Sequence, residues 1–329
     1  MLTKTPRGWE RPLSQATPEA LFRNRRTLVK SLAAGSILAA SPLLLTACEE
    51  PAPVAQKQPE PDPSAPLYPV KRNERFTLDR PITPEALATS YNNYYEFGSS
   101  KSVVAEAQAL PLRPWLVTID GLVEKPVEIG VDELLKKMPL EERLYRHRCV
   151  EAWAMDVPWS GFALKALVEF ARPLSAARYL QMTSFHNPEV APGQSSSWYP
   201  WPYVEGVTLA EATNELAFIA TGACGKPLPK QNGTPLRLTL PWKYGFKSAK
   251  GLVRFTFTET RPVGFWERIQ GREYGFWANV NPDVPHPRWS QARERVLGRD
   301  GKVPTRIYNG YGEFVADLYK GIENERLFM

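Results

Sequence analysis

Residues 229–260 read "PKQNGTPLRLTLPWKYGFKSAKGLVRFTFTET", and this stretch decides the fold class. "PLRLTLPW" (235–242) and "LVRFTFTET" (252–260) are strand-length runs of β-branched, aromatic and leucine residues, the second alternating apolar with polar. The sequence around them continues in the same vein. "WLVTIDG" (Trp115 to Gly121) predicts a strand entering an Asp-Gly turn, and "RYLQMTSF" (178–185) and "LAFIATG" (216–222) predict two more. Helices are short. "VDELLKKM" starts one with Asp132 as cap, and "SGFALKALVEFA" sets Leu164, Leu167, Val168 and Ala171 on one face with Ser160 as cap. Strands and short helices in irregular order predict an α+β fold with a mixed sheet in a single domain. No G-x-G-x-x-G accompanies them, which argues against a doubly wound dinucleotide fold.

The ends of the chain differ from this body. Of the formal net charge of +6, five units come from residues 1–47, where seven Lys/Arg face Glu10 and Glu19. The remainder is near neutral, so charge gives no warrant for a nucleic-acid partner. Arg25 and Arg26 precede a broken apolar run, Leu32 to Ala47, which resembles a twin-arginine export signal. That run is short and interrupted for a membrane span. "LTAC" (45–48) also resembles a lipoprotein box, leaving simple cleavage and lipidation of Cys48 both open. Seven prolines in residues 51–70 give residues 48–75 linker composition, and the folded domain is expected from Phe76 to Met329.

Three cysteines occur, Cys48, Cys149 and Cys224. In an oxidising compartment a Cys149–Cys224 disulfide is one expectation. The flanks of Cys149 in "YRHRCVEAW" (145–153) suggest another, because Arg146, His147 and Arg148 would favour the thiolate, which is both nucleophile and metal ligand. A buried thiol without chemistry fits the local sequence equally. Zinc fails on ligand count: there is no C-x-x-C or H-E-x-x-H, and His147, His186 and His286 are scattered. They also offer no nucleophile context for a Cys/His enzyme. A cofactor needing one protein thiolate is a third option. Arg237, Lys243, Lys247 and Lys250, set among Trp242, Tyr244, Gly245 and Phe246 after an Asn-Gly turn, could cradle a phosphate and cover a flat heterocycle. An ordinary basic loop has the same composition.

Six ordered motifs narrow these options. "YNNYYEFG" (91–98), "RCVEAW" (148–153), "VPWSG" (157–161), "QNGTPLRL" (231–238), "PWKYGFKSAK" (241–250) and "NPDVPHPRWSQA" (281–292) together resemble the sulfite-oxidase-like molybdopterin family, in its branch of bacterial periplasmic protein-methionine-sulfoxide reductases. The resemblance covers Phe76 to the C-terminus. It implies one Mo-molybdopterin per chain, with Cys149 as the protein's thiolate ligand to molybdenum, a soft donor suited to such a centre. By motif position it implies cofactor contacts at Asn92, Tyr95 and Glu96, at Asn232 and Arg237, and at Ser248, Ala249 and Lys250. Ser184 stands where relatives carry threonine. Glu151, two residues beyond Cys149, would face the substrate side if the local chain is extended; a salt bridge to Arg146 or Arg148 is the alternative.

The activity so implied is removal of oxygen from methionine sulfoxide in oxidised periplasmic proteins. Electrons would come from the quinone pool through a haem-b membrane subunit, after export by the twin-arginine machinery. No fused haem or dimerisation domain is evident, so a monomer within a heterodimeric system is expected. Two rivals remain: a sulfite-oxidising enzyme of the same fold, which Glu151 would oppose by repelling the anion, and a cofactor-free exported binding module with a Cys149–Cys224 bridge. Cys224 is expected to pack near the cofactor turn without chemistry.

Overall fold

The computed structural model describes residues 62–329. The export signal, the lipoprotein box at Cys48 and the first half of the linker lie outside the described residues. The second half of that linker is not a spacer. Ser64 is buried, the Tyr68 hydroxyl donates to the carbonyl and hydroxyl oxygens of Thr221 at 2.8 and 2.7 Å, and Arg72 Nε donates to Glu142 at 2.7 Å. The packed domain therefore starts well before Phe76. Proline-rich composition there reflects a chain laid along the surface rather than one free of it.

The strands run in chain order as β1 (Leu116–Gly121), β2 (Val127–Gly130), β3 (Glu141–Arg148), β4 (Trp153–Ala163), β5 (Tyr179–Ser184) and β6 (Val204–Thr208). They continue as β7 (Phe218–Ala223), β8 (Lys226–Pro227), β9 (Arg237–Thr239), β10 (Leu252–Thr258), β11 (Arg293–Val296) and β12 (Val303–Pro304). They form two mixed sheets. One has the order β2-β1-β10-β5-β6, with β1 and β10 parallel. The other has the order β12-β11-β4-β7-β8, with β3 added to β4 and β9 to β7, and its β11 and β4 are parallel. The expected α+β class with mixed sheets and short helices holds.

Local sequence explains most of these elements. In β10 Leu252, Phe255 and Phe257 are buried, and a register shift between Leu252 and Arg254 lets Val253 fall between them. Helix Leu164–Ala171 buries Leu164, Leu167, Val168 and Ala171 as the spacing predicts, each large side chain contributing roughly 1.5–3 kcal/mol by leaving water. Both predicted caps are wrong. Ser160 lies inside β4, which runs directly into the helix, and Ala163 occupies the cap position. Gly130 precedes helix Val131–Lys137, and Asp132 sits in its first turn, accepting from Arg113 Nε at 2.6 Å.

The β3–β4 hairpin carries the motif cysteine at its tip. Its turn holds Cys149 to Ala152, closed by Cys149 N donating to the Trp153 carbonyl at 2.9 Å and Ala152 N to the Cys149 carbonyl at 3.1 Å. The segment before β11 clamps this turn from behind: Trp289 Nε1 and Gln291 Nε2 both donate to the Val150 carbonyl, at 2.7 and 2.8 Å. Arg148 is fully buried there, donating to Glu294 at 2.9 Å, to Gln291 at 2.8 Å and to the Cys149 carbonyl.

Candidate cofactor and active site

A cavity opens to solvent at this turn. Cys149, Glu151, Asn92, Tyr95, Glu96, Arg237, Ala249 and Lys250 all line it, although they come from four separate stretches of the chain. Ser184, Asn232 and Ser248 stand behind its wall. The Ser184 hydroxyl donates to the Lys250 carbonyl at 2.5 Å, the Asn232 carbonyl accepts from Arg237 Nη1 at 3.0 Å, and Ser248 N donates to the Gly245 carbonyl at 3.1 Å.

The thiol is not activated as its neighbours in sequence suggested. Arg146 turns away to Asp79 and the Asn309 carbonyl, and Arg148 is matched by Glu294. Burial, followed by the nearby Glu151 charge, pushes the Cys149 thiol up to about 12. Free of any ion it would be a protonated, buried group, and a soft cation is what would draw it into thiolate form. Cys149 and Cys224 are both free, so the bridge of the cofactor-free rival does not form. Cys224 lies at the β7–β8 turn and does not line the cavity.

Glu151 reaches the cavity from a turn rather than from an extended chain, and its partner is neither Arg146 nor Arg148. Lys101 Nζ lies 2.6 Å from its Oε2, and Asn93 Nδ2 and Trp153 Nε1 each donate to that oxygen at 3.1 Å. Burial opposes ionisation, but these donors, led by Lys101, hold the carboxyl below its ordinary value. Asn93 Nδ2 also lies 3.4 Å from Cys149 Sγ, and Glu151 Oε2 lies 3.6 Å from the same sulfur. The Glu151 charge is therefore balanced locally by Lys101, so it does not repel anions as a lone carboxylate would.

Elsewhere the cavity lining carries unmatched positive charge. Arg237 is buried over the Trp159 ring, has no carboxylate within ion-pair distance among the described residues, and leaves its Nε without a partner. Burial lowers it to about 10. Lys250 is lowered to about 7 by burial and then by Arg237, while burial raises Glu96 to about 7 against the pull of Lys250. The Asn-Gly turn delivers Lys250: Gly233 has φ +107°, and a Cβ there would lie 2.7 Å from the Lys250 side chain. Lys243 and Lys247, expected in the same cradle, are instead buried against Glu211 and Glu205, each at 2.5 Å. Their partners come from a segment distant in sequence, which composition cannot show.

The sequence reading missed Asn93, Lys101 and His147 as site residues. Asn93 sits inside the motif "YNNYYEFG", so its signal was at hand. His147 lines the cavity, and burial followed by the nearby Arg237 and Lys250 keeps it neutral, far below its ordinary value. A Cβ on Gly245 would lie 2.6 Å from its ring, so glycine there lets the basic loop close over it. His286 stacks on Trp289 at 3.8 Å, and His186 is exposed; neither lines the cavity.

Residues 105–266 match the family model described as the oxidoreductase molybdopterin-binding domain. The protein-methionine-sulfoxide reductase catalytic subunit MsrP of Burkholderia mallei is 42% identical over 329 residues, covering 98% of this chain and 96% of that protein. This chain belongs to the molybdopterin-binding oxidoreductases. Among solved structures, the sulfane dehydrogenase SoxCD of Paracoccus pantotrophus aligns with a TM-score of 0.44 at 16% identity, over 79% of this chain and 62% of that one. The residues of this molybdopterin-binding oxidoreductase suit the group its family is named for. A lone thiol offers one soft donor, while the buried Arg237 with its orphaned Nε places a positive charge where an anionic group would restore the balance that burial has upset, beside the Lys250–Glu96 pair.

Proposed function

We propose that this chain is a molybdopterin-dependent enzyme that removes the oxygen of methionine sulfoxide in proteins. The observation that carries the reading is a free, buried thiol lining a cavity that is also lined by a buried arginine with an orphaned Nε. Cys149 would supply the protein's donor to the metal. Asn92, Tyr95, Glu96, Arg237, Ala249 and Lys250 would hold the organic part, supported by Ser184, Asn232 and Ser248. When bound, the group would supply two-electron redox chemistry at a metal.

The chain's own residues do the rest. Glu151, Asn93 and Lys101 form a hydrogen-bonded cluster beside the sulfur, able to orient a dipolar S–O group, with Glu151 held as a carboxylate by its donors. Tyr95, Trp266 and Tyr274 line the cavity and suit the methyl and methylene groups of the same substrate. Sulfite oxidation fits less well. A doubly charged anion wants net positive charge at the reacting centre, whereas the carboxylate nearest Cys149 is matched by a single lysine.

We also infer a periplasmic enzyme, exported through the Arg25–Arg26 signal and supplied with electrons by a haem-bearing membrane subunit. No helix among the described residues is long and apolar enough to cross a membrane. Assays with a viologen donor and methionine sulfoxide, set beside sulfite with an electron acceptor, test the reading. Turnover of sulfoxide is expected, and turnover of sulfite alone would refute it.

A further inference from the structure

The aromatic side of the cavity continues out to the surface. Tyr95 and Trp266 have ring centroids 4.9 Å apart, Trp266 and Tyr199 6.2 Å, and Tyr199 and Trp198 6.4 Å. Trp198 ends the row 82% exposed, the most exposed of the large apolar side chains among the described residues. An indole left in water forgoes the burial that usually places tryptophan inside, and an exposed aromatic surface continuous with a reaction cavity marks a contact site.

The segment that presents it is held in place. Gly193 N donates to the Glu96 carbonyl at 2.9 Å, Gln194 Nε2 donates to the Phe185 carbonyl at 2.8 Å, and Trp201 packs on Phe265 at 4.8 Å. Residues 190–204 contain no Asp, Glu, Lys, Arg or His. A surface built to seat one defined partner protein draws on charge complementarity for register and steering. An uncharged, rigid aromatic row instead suits apolar chains of any sequence. Methionines sit mostly among apolar neighbours, and those neighbours become accessible when the surrounding protein loosens or unfolds.

We propose that Trp198 and Tyr199 form a docking platform for unfolded polypeptide flanking an oxidised methionine. This rests on the functional reading above and specifies its substrate: the sulfoxide side chain enters the cavity while its chain neighbours lie across the two rings. Free methionine sulfoxide has no such neighbours and makes no use of the platform.

The test compares steady-state kinetics of the molybdenum-loaded enzyme and its Trp198→Ser variant, using a viologen donor. The substrates are an unstructured peptide carrying one methionine sulfoxide and free methionine sulfoxide. The peptide KM is expected to rise about 5–10-fold, the size of a lost aromatic anchor, with kcat and all parameters for the free amino acid unchanged. Trp198→Phe should recover most of the loss. An unchanged peptide KM, or an equal change for both substrates, overturns the platform. So does a loss seen for both substrates only with a protein donor, because that assigns the rings to electron delivery. Should the loaded wild type reduce neither sulfoxide, the functional reading fails by itself. Calorimetric binding of the peptide to wild type and Trp198→Ser then decides the platform, and equal affinities overturn it.

Discussion

Lys101 Nζ lies 2.6 Å from Glu151 Oε2, and the same ammonium lies 2.5 Å from Asn93 Oδ1, so one cation orders both polar side chains that converge on Cys149 Sγ. Neither Lys101 nor Asn93 is adjacent in sequence to the cysteine. Their meeting depends on the loop before β1 folding over the β3–β4 turn.

Replacing Lys101 should therefore weaken chemistry more than folding. A charge-assisted hydrogen bond is worth roughly 1.5–3 kcal/mol, so Lys101→Met is expected to lower kcat by about 10–100-fold with molybdenum content unchanged. Lys101→Arg, which keeps the charge, should recover part of it. The wild-type carboxyl of Glu151 is held ionised below its ordinary range. Without Lys101 burial prevails, and the acid limb of the pH–rate profile should move to higher pH. A profile that stays in place would show that Lys101 does not govern Glu151.

Arg237 should show the opposite balance. It is buried with an orphaned Nε, and burial lowers it to about 10, so in protein lacking the cofactor its charge is a burden. Arg237→Met is expected to leave the cofactor-free protein as stable as wild type, or up to about 2 kcal/mol more stable, while cutting cofactor loading severely. Thermal unfolding of cofactor-free protein and molybdenum content after loading check the two halves. A destabilised cofactor-free variant would mean that Arg237 serves the fold.

Gly233→Ala probes the turn that presents Lys250. With φ at +107° and the new Cβ 2.7 Å from the lysine side chain, the substitution should cost about 1–3 kcal/mol and reduce loading along with it. Equal loading by the variant would remove Lys250 from the cofactor site.

Asp79 gives a pH signature away from the cavity. It pairs with Arg146 and Arg306, and hydrogen bonding to Arg146, opposed by burial, lowers its carboxyl to about 2. A depressed carboxyl contributes stability above its unfolded value of 3.8 and loses it as pH falls toward 2. The carboxylate is half exposed, so screening limits the contribution to about 0.5–1 kcal/mol. Asp79→Asn should be less stable than wild type by that amount at pH 7, with the gap closing between about pH 4 and pH 2. A constant gap across that range would assign the loss to packing.

How far the sequence carried depends on whether a residue's partners lie nearby in the chain. Alternation in β10 and the apolar face of helix Leu164–Ala171 are local patterns, and both emerge as read apart from the register shift at the start of β10. Cys149 could be singled out because its motif is compact, and the structure sets it in the cavity lining. Activation of its thiol by adjacent cations does not hold, since Arg146 and Arg148 are claimed by Asp79 and Glu294, neither of which proximity in sequence reveals. Lys243 and Lys247 misled for the same reason, with Glu205 and Glu211 brought to them by β6 and the short helix Leu209–Ala212 after it. Ser160 looked like a cap because a serine before an apolar helix usually is one, and only the unbroken run of β4 excludes it.

Whether the sulfur of Cys149 is the protein's donor to a molybdenum centre is tested most directly by elemental analysis of purified mature protein. One molybdenum per wild-type chain is predicted, with a near-complete loss in Cys149→Ser while the serine variant stays folded. Wild-type protein without molybdenum, or a serine variant that retains it in full with unchanged activity, would contradict that role.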